Sequence, residues 1–339
     1  MYWRGVSVMK VLIMAGGYAT RLWPITKDNP KALLPLGDRY IIDYILEKTK
    51  ELGLEVYVST NRFFAKYFEE WSRDKDVELL VEDTFHEEEK LGTIGALQEA
   101  ISKLGLDDYL IIAGDNLFSF SLKDFLDKYN GKTLIAVYDV GDFELAKRYG
   151  VVLLEGDKVI DFEEKPVKPK STLISTGVYV FPREIMGVIP QYLEEGNKDS
   201  PGYFIQWLLS KGTEIYAYKF DEYWYDIGSA DSYLEALKTL LRESYIEEIQ
   251  ISPYAKIISP VVIKRGAKIL GRSIIGPYAY IGEGCVVENS DISDSIIFKN
   301  TIIRNSTIWR SIIDEKCEIR NLELKKSLVG GHAKIQRGD

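Results

Sequence analysis

The chain has 339 residues, 46% of them hydrophobic, and a formal net charge of −9. This length is too great for one ordinary core and indicates two unequal domains, while the acidic balance argues against a nucleic-acid partner. No apolar run is long enough to span a membrane, and Cys285 and Cys317 are too few for a disulfide framework. We therefore expect a globular cytoplasmic protein with neither a membrane nor a nucleic-acid partner.

The first two thirds of the chain alternate short apolar runs with segments of helical period. Residues 10–15 form a continuous apolar run that Gly16 and Gly17 end, as in a buried parallel strand. Strand-like and helical segments then alternate up to a last helix, which is predicted to end near Tyr245. This alternation predicts an α/β domain over residues 1–245, with a Rossmann-like, mostly parallel sheet, helices on both faces and ligands at the carboxyl ends of the strands.

Residues 246–339 carry a different repeat. Aliphatic side chains recur at a strict spacing of six, which loosens to five or six further on. They are Ile251, Ile257, Ile263, Ile269, Ile275, Ile281, Val287, Ile292, Ile297, Ile303, Ile308, Ile313 and Ile319. A parallel β-helix with three short sides per coil has this period, with one aliphatic side chain per side pointing inward. The repeat predicts a left-handed β-helix of hexapeptide repeats that mediates self-association, giving a homo-oligomer, or caps the first domain.

The most specific motif is the string LIMAGGYATRLWP at residues 12–24, followed by PKALLP at 30–35. Two glycines after a strand let backbone N–H groups approach a triphosphate, and Arg21 and Lys31 supply two cations for its phosphates. The GxGxxG pattern of dinucleotide-binding enzymes is absent. The string resembles the signature loop of the sugar-phosphate nucleotidyltransferases, which include glucose-1-phosphate thymidylyltransferases and mannose-1-phosphate guanylyltransferases.

The resemblance continues in order through residues 10–240 and implies three sets of site residues. The nucleotide-binding positions are Ala15, Gly16, Gly17, Glu82, Gly92 and Thr93. The positions that bind the sugar phosphate are Gly150, Glu164, Lys165, Thr176 and Gly177. The metal-binding positions are Asp115, in the sequence AGDN, and Asp226, in the sequence WYDIG.

The implied reaction joins a nucleoside triphosphate to a hexose 1-phosphate and releases pyrophosphate. The attacking phosphate oxygen is ionised at neutral pH, so catalysis needs no general base and consists of positioning and charge neutralisation. The resemblance assigns Arg21 to the β- and γ-phosphates, Lys31 to the α-phosphate and Lys165 to the sugar phosphate. Asp115 and Asp226 would share Mg²⁺, which hard oxygen ligands favour.

The sequence departs from the family pattern in two places. The family usually has glycine at the position of Ala19, and a Cβ is free of strain only at φ below zero, which predicts a differently shaped loop tip. The segment 82–90, which helps to select the base, is longer than usual and contains Glu87–Glu89. The motifs favour a guanylyltransferase acting on mannose 1-phosphate, with a glucose-1-phosphate thymidylyl- or uridylyltransferase as the alternative.

Two hypotheses of other classes remain. A non-catalytic subunit that senses sugar nucleotides should have lost a cation or a metal carboxylate, whereas all five such residues are present. An acyltransferase that works through the β-helix would need a catalytic histidine, and the only histidine there is His332, near the end of the chain. The sequence therefore favours the nucleotidyltransferase.

Overall fold

The computed structural model describes residues 9–195 and 200–337. Internal contacts divide them into two compact units. The first holds the chain up to Gly17 together with Ile42–Asp226, and the second holds Tyr18–Ile41 together with the chain from Ile227 onward. Tyr18–Ile41, here named the signature segment, carries Arg21 and Lys31 and thus packs with the C-terminal part of the chain. The division into residues 1–245 and 246–339 stays a prediction.

The described strands before the repeat region are short and mostly apolar. They are β1 (Lys10–Met14), β2 (Pro35–Leu36), β3 (Arg39–Tyr40), β4 (Val56–Asn61), β5 (Glu78–Glu82), β6 (Tyr109–Ala113), β7 (Asn116–Phe118), β8 (Thr133–Asp139), β9 (Gly150–Glu155), β10 (Lys158–Glu164), β11 (Leu173–Phe181), β12 (Ile215–Phe220) and β13 (Trp224–Asp226).

Nine of these strands form one sheet in the first unit, in the order β5-β4-β1-β6-β11-β8-β12-β10-β9. The strands β5, β4, β1 and β6 pair in parallel, as do β8 and β12. Strand β11 runs antiparallel to β6 and β8, and β9 and β10 form an antiparallel hairpin, because a tight turn can join only antiparallel strands. The sheet is therefore mixed, and the prediction of a mostly parallel sheet holds for its first four strands and for the pair of β8 and β12.

Helices lie between many of these strands, and the last helix before the repeat region is present. They are α1 (Ile41–Thr49), α2 (Ala65–Trp71), α3 (Gly92–Leu104), α4 (Leu122–Leu126), α5 (Phe143–Ala146), α6 (Arg183–Met186), α7 (Ile189–Glu195), α8 (Pro201–Ser210) and α9 (Ala230–Leu240). Helix α9 ends at Leu240 rather than near Tyr245, because the chain there turns into a strand that pairs with Val262 and Ile263. Within residues 9–195 and 200–337, no helix has the length and apolarity that crossing a membrane requires.

The C-terminal part is a three-sided parallel solenoid. Its strands are β14 (Tyr245–Ile246), β15 (Gln250–Ile251), β16 (Lys256–Ile257), β17 (Val261–Ile263), β18 (Lys268–Leu270), β19 (Ile274–Ile275), β20 (Ala279–Ile281), β21 (Val286–Glu288), β22 (Asp291–Ser293), β23 (Ser295–Ile297), β24 (Ile302–Arg304), β25 (Thr307–Trp309), β26 (Ile312–Ile313), β27 (Glu318–Arg320), β28 (Glu323–Lys325), β29 (Leu328–Val329) and β30 (Lys334–Gln336). Every strand from β14 to β27 pairs in parallel with the third strand after it, which gives three sheets, one per side.

The repeat seen in the sequence builds the core of this solenoid. The aliphatic positions from Ile263 to Ile319 lie in one buried cluster, whereas Ile251, in the first coil, is 47% exposed, contrary to the prediction, because no described coil precedes it. Val261 pairs with Ala279, eighteen residues further on, but Ala279 pairs with Ser295, sixteen residues further on. The looser spacing after Val287 therefore reflects shorter coils.

Candidate active site

A cavity of about 330 Å³ lies at the carboxyl ends of β1, β5 and β6, in the first unit. It is lined by Met14, Gly16, Gly17, Glu82, Lys90, Gly92, Thr93, Ala96, Ile111, Ala113, Asp115, Gly177, Tyr179 and Pro201. The lining combines apolar side chains with polar groups and glycines, which is the usual composition of a small-molecule site. Half of the lining residues are among the site residues implied by the sequence.

The turn after β1 brings bare backbone to the cavity. The N–H of Ala15 donates to Ser59 O at 2.8 Å, and the side-chain amide of Asn61 donates to Gly16 O at 2.9 Å. A Cβ on Gly16 would lie 3.1 Å from Oε1 of Glu82, so glycine lets this carboxylate approach the turn. The sequence reasoning missed Asn61, because nothing local links the end of β4 to this turn.

Glu82 ends β5 as a buried acidic side chain that faces the cavity. It is only 7% exposed, and its Oε1 accepts a hydrogen bond from the hydroxyl of Ser59 at 3.0 Å. Burial raises the pKa of Glu82 to about 7, because the charged form loses its hydration. The carboxyl group can thus change its protonation state near neutral pH.

Helix α3 begins at the cavity rim. Gly92 adopts a left-handed φ of 71° where the chain enters the helix, and Thr93 follows in the first turn. The first N–H groups of a helix have no partner within it and favour anionic or polar ligand groups. Lys90 adds a cation to this rim, which the sequence reasoning overlooked in favour of the neighbouring glutamates.

A short strand pair brings the two predicted metal-binding aspartates together. In the antiparallel pair of β7 and β13, Asp226 lies opposite Asn116, the residue after Asp115. The side-chain amide of Asn116 donates to Oδ1 of Asp115 at 2.8 Å. The Oδ1 of Asn116 is buried and has no hydrogen-bond partner among the described residues. The oxygen ligands that Asp115, Asp226 and Asn116 can offer are of the kind that a hard divalent cation prefers, together with phosphate oxygens and water.

Asp115, Asn116 and Asp226 provide few oxygen ligands for a metal ion. The described residues contain no group of three or more His, Cys, Asp or Glu side chains that could hold a metal ion by themselves. A cation at Asp115 and Asp226 would therefore depend on the ligands that a bound phosphate supplies, as Mg²⁺ commonly does.

The bulge in β11 shapes the opposite wall. The register with β8 shifts between Ser175 and Tyr179, and Gly177 takes a left-handed φ of 80° within that shift. A Cβ on Gly177 would lie 2.9 Å from Cβ of Ala113, so only glycine allows this close approach. The hydroxyl of Thr176 is buried and donates to Ala136 O at 3.0 Å, and the backbone carbonyl of Thr176 accepts a hydrogen bond from the indole N–H of Trp224 at 3.3 Å.

Glu164 ends β10 and is fixed by the first turn of α8. Its side chain is 6% exposed, and its Oε1 accepts a hydrogen bond from the hydroxyl of Ser200 at 2.8 Å. A Cβ on Gly202 would lie 1.8 Å from Oε2 of Glu164, and one on Gly150 would lie 2.9 Å from the same atom. Glycine at both positions therefore makes room for the carboxylate. The sequence reasoning missed Ser200 and Gly202, although the pair Ser200-Pro201 is a recognisable helix start.

Lys165 follows directly in a strained backbone conformation. Its φ is 49°, which is uncommon for a residue with a side chain, and its N–H donates to Tyr149 O at 3.0 Å. Its side chain is 56% exposed, with Nζ 3.6 Å from Oε1 of Glu164. The ammonium group of Lys165 therefore lies beside the carboxylate of Glu164 and is exposed enough to contact a bound anionic ligand.

Arg21 and Lys31 lie in the second unit, within the signature segment. Arg21 is exposed in a 3₁₀ turn, Thr20–Leu22, and Lys31 is buried at the start of another, Lys31–Leu33. Ala19 adopts a left-handed φ of 50° and ψ of 42°, so the expectation that its Cβ would hold φ below zero was wrong. The hydroxyl of Thr26 donates to Ala19 O at 2.8 Å and helps to hold this turn.

The chain matches the family described as nucleotidyl transferase over residues 10–243, and residues 257–338 match the family described as GMPPB C-terminal domain. The first match covers more than half of the chain, so the protein belongs to the nucleotidyl transferase family. The resemblance seen in the signature loop is thereby confirmed, and the chain is a nucleotidyltransferase.

Individual relatives differ in the nucleotide and sugar that their names give. A protein of Sulfolobus acidocaldarius described as "Putative mannose-1-phosphate guanyltransferase" is 29% identical, over 86% of this chain and 76% of that protein. A glucose-1-phosphate adenylyltransferase of Clostridium beijerinckii is 30% identical, over 87% of this chain and 81% of that protein. A crystal structure described as a "Putative Glucose-1-Phosphate Thymidylyltransferase" from Bacillus anthracis aligns with a TM-score of 0.60 and 25% identity, over 70% of this chain and 97% of that chain.

Proposed function

We propose that the protein transfers a guanylyl group from GTP to mannose 1-phosphate, giving GDP-mannose and pyrophosphate. The names of its relatives support the reaction class, which is nucleotidyl transfer to a sugar 1-phosphate. The observation that carries the proposal is the cavity at the strand ends, where Gly16, Gly17 and Gly92 lie beside the carboxylates of Glu82 and Asp115.

Glu82 supports guanine as the base. An ionised carboxylate has two acceptor oxygens, and guanine presents two adjacent donors, the N1–H and the 2-amino group, on one edge. Adenine offers a donor beside an acceptor, and uracil and thymine offer one donor between two acceptors, so each leaves one carboxylate oxygen opposed to an acceptor. The similarity to the Sulfolobus protein and to the GMPPB C-terminal domain points the same way.

In this proposal each cationic side chain binds a different phosphate group. Arg21 binds the β- and γ-phosphates, and Lys31 binds the α-phosphate and stabilises the charge that develops during attack. Lys165 orients the attacking phosphate of the sugar, while Glu164, Gly150, Thr176 and Gly177 line the sugar. The attacking oxygen is already ionised, so these residues contribute by placing it in line with the α-phosphorus.

Asp115 and Asp226 would hold Mg²⁺, which when bound supplies positive charge to the nucleotide and sugar phosphates. The carboxylates of Asp115 and Asp226 would determine where the positive charge of the ion lies. Asn116, which donates to Asp115 and pairs with Asp226, helps to hold them in place.

Further parts of the proposal concern the whole chain. The six-residue spacing supports a left-handed winding of the solenoid, and the change of period near residue 245 supports a catalytic domain over 1–245 and a solenoid domain over 246–339. We also propose a cytoplasmic homo-oligomer, because cysteines are scarce and the first coil is exposed.

The test is a matrix of GTP, ATP, UTP, CTP and dTTP against mannose 1-phosphate and glucose 1-phosphate, with pyrophosphate release measured in Mg²⁺. We expect the fastest release with GTP and mannose 1-phosphate. Faster release with dTTP or UTP and glucose 1-phosphate would replace guanine and mannose in the proposal. Silence of every pair with folded protein would favour the sensor hypothesis.

A further inference from the structure

One side of the solenoid is covered on its outer face. Along the sheet β14-β17-β20-β23-β26-β29, residues alternate between the solenoid core and the outside. The outward residues Val262, Tyr280, Ile296 and Ile312 are nevertheless buried, at 8% exposure or less. On the side formed by β16, β19, β22, β25 and β28, outward residues such as Trp309 are exposed. Another segment of the chain therefore packs against the outer face of the β14-β17-β20-β23-β26-β29 sheet.

The signature segment contacts the solenoid directly at one place. The Cα of Gly330, in the coil of β29, is so close to Pro24 that an added Cβ would lie 2.8 Å from Cγ of the proline ring. Burial raises the pKa of Tyr280, and the neighbouring Tyr40 of the signature segment adds to this rise. Pro24 thus packs against the solenoid just after β29, and Tyr40 is near enough to β20 to act electrostatically on Tyr280.

Helix α9 connects the middle of the segment to the same solenoid side. The hydroxyl of the fully buried Tyr233 donates to Pro35 O. The guanidinium of Arg310, at a solenoid corner, donates to Asp231 at 3.0 Å and to Glu235 at 2.9 Å, both on α9. These contacts join the solenoid to α9 and α9 to the signature segment.

We propose that the solenoid positions the signature segment for catalysis, with Gly330 and Tyr233 as its positioning residues. Arg21 lies three residues before Pro24, and Lys31 lies four residues before Pro35, so each anchor is within about one turn of a cation. Misplacement of a catalytic cation by about 1 Å can cost about a hundredfold in rate. The roles of Arg21 and Lys31 rest on the proposed function, whereas the anchoring contacts do not.

The amino-acid sequence alone leads to a different expectation about the role of the solenoid. The repeat by itself suggests that loss of the solenoid would alter association or heat resistance more than chemistry. Because the signature segment folds onto the solenoid, a change on the solenoid surface should instead alter turnover. The two views predict opposite results for a substitution at Gly330, which lies more than 300 residues from Arg21 in the sequence.

The test uses the full chain with two variants. Gly330→Val pushes on Pro24, and Tyr233→Phe keeps the ring but removes the hydroxyl that donates to Pro35. Gly331→Ala is the matched control, because the nearest atom to its Cβ would be Oδ2 of Asp314, at 3.3 Å. Hydrogen exchange of peptides from residues 18–41 reports the support of the segment, and steady-state kinetics report its effect on turnover.

We expect both variants, with unchanged far-UV circular dichroism, to exchange faster in residues 18–41 and to lose about tenfold or more in kcat with little change in KM for the sugar phosphate. In an Arg21→Ala background, Gly330→Val should cost little more, because the cation it misplaces is absent. Unchanged exchange in the folded variants, faster exchange with unaltered kcat, or strictly multiplicative losses would each overturn the proposal. If no substrate pair is active even in the wild type, the proposed function fails, and the exchange experiment still tests the anchoring.

Discussion

Asp115 and Asp226 are more than a hundred residues apart in the sequence, and the pairing of β7 with β13 brings them together. We predict that Asp115→Asn and Asp226→Asn each lower turnover about a hundredfold or more, because each removes a charge that, in the proposed function, binds Mg²⁺. Folding should hardly change, since two neighbouring carboxylates repel each other when no cation is bound. The measurement is kcat as a function of Mg²⁺ concentration.

The double variant distinguishes shared from separate roles. If both carboxylates hold one ion, the pair should be little worse than the poorer single variant. Near wild-type turnover in either single variant at ordinary Mg²⁺ would show that the carboxylate has another role.

Glu82 links stability to pH in a direction opposite to that of a salt-bridged carboxylate. Its pKa is about 7 when folded and 4.5 as the reference value, so the folded protein binds more protons between these two values. The free energy of unfolding should therefore fall by about 3 kcal/mol from this residue as the pH rises from 4.5 to 7. Urea unfolding of the wild type and of Glu82→Gln, measured across this range, isolates the contribution. Parallel stability curves for the two proteins would contradict it.

The absence of a side chain at Gly202 makes room for the carboxylate of Glu164. In Gly202→Ala the added Cβ would overlap Oε2 of Glu164, so the carboxylate must move out of the place that the first turn of α8 gives it. We expect KM for the sugar phosphate to rise about tenfold while KM for the nucleotide stays unchanged. Gly187→Ala, whose Cβ would meet its nearest atom at 3.4 Å, is the control. Equal kinetics in the two variants would remove Gly202 from the sugar site.

At the scale of elements, serines specify the corners of the shorter coils. Ser295, Ser311 and Ser327 each donate to the carbonyl two residues earlier. The hydroxyls of Ser295 and Ser311 also accept the backbone N–H of the serine one coil further on, at 3.1 Å in both cases. Each follows a residue with a left-handed φ, namely Asp294, Arg310 and Lys326. The serines thus satisfy buried backbone groups where the coil tightens.

The ladder predicts a graded loss of stability. Ser311→Ala leaves the N–H of Ser327 without its acceptor and should lower the free energy of unfolding by about 1–3 kcal/mol. Ser327→Ala, at the end of this ladder as the structure describes it, should cost less. Thermal unfolding of both variants gives the comparison, and an equal loss in both would argue against the ladder.

At the scale of the whole molecule, the first coil of the solenoid carries an exposed apolar surface. Ile246, Ile251 and Tyr254 are all exposed, and β14, β15 and β16 are the edge strands of their sheets. Unpaired edges with apolar side chains favour association with another chain. We therefore predict a homo-oligomer that Ile251→Lys combined with Tyr254→Lys converts to a monomer, as measured by light scattering. Ile160→Lys, on the exposed face of β10, is the control, and a monomeric wild type at micromolar concentration would refute the prediction.

Features that depend on residues close to one another along the chain could be predicted from the amino-acid sequence. The apolar run of β1 with its two glycines, the helical periods and the six-residue repeat each report a local geometry. The repeat sufficed for the solenoid, and the motifs that resemble the sugar-phosphate nucleotidyltransferases sufficed for the enzyme family and for half of the residues that line the cavity.

Features that depend on contacts between distant segments could not be predicted from the sequence and are visible only in the folded chain. Helix propensity and motif resemblance do not reveal that β11 runs antiparallel to its neighbours, that Gly202 makes room for Glu164, or that Ala19 accepts a left-handed φ. The same holds for the packing of Pro24 against Gly330, because close packing arises only when both surfaces are in place.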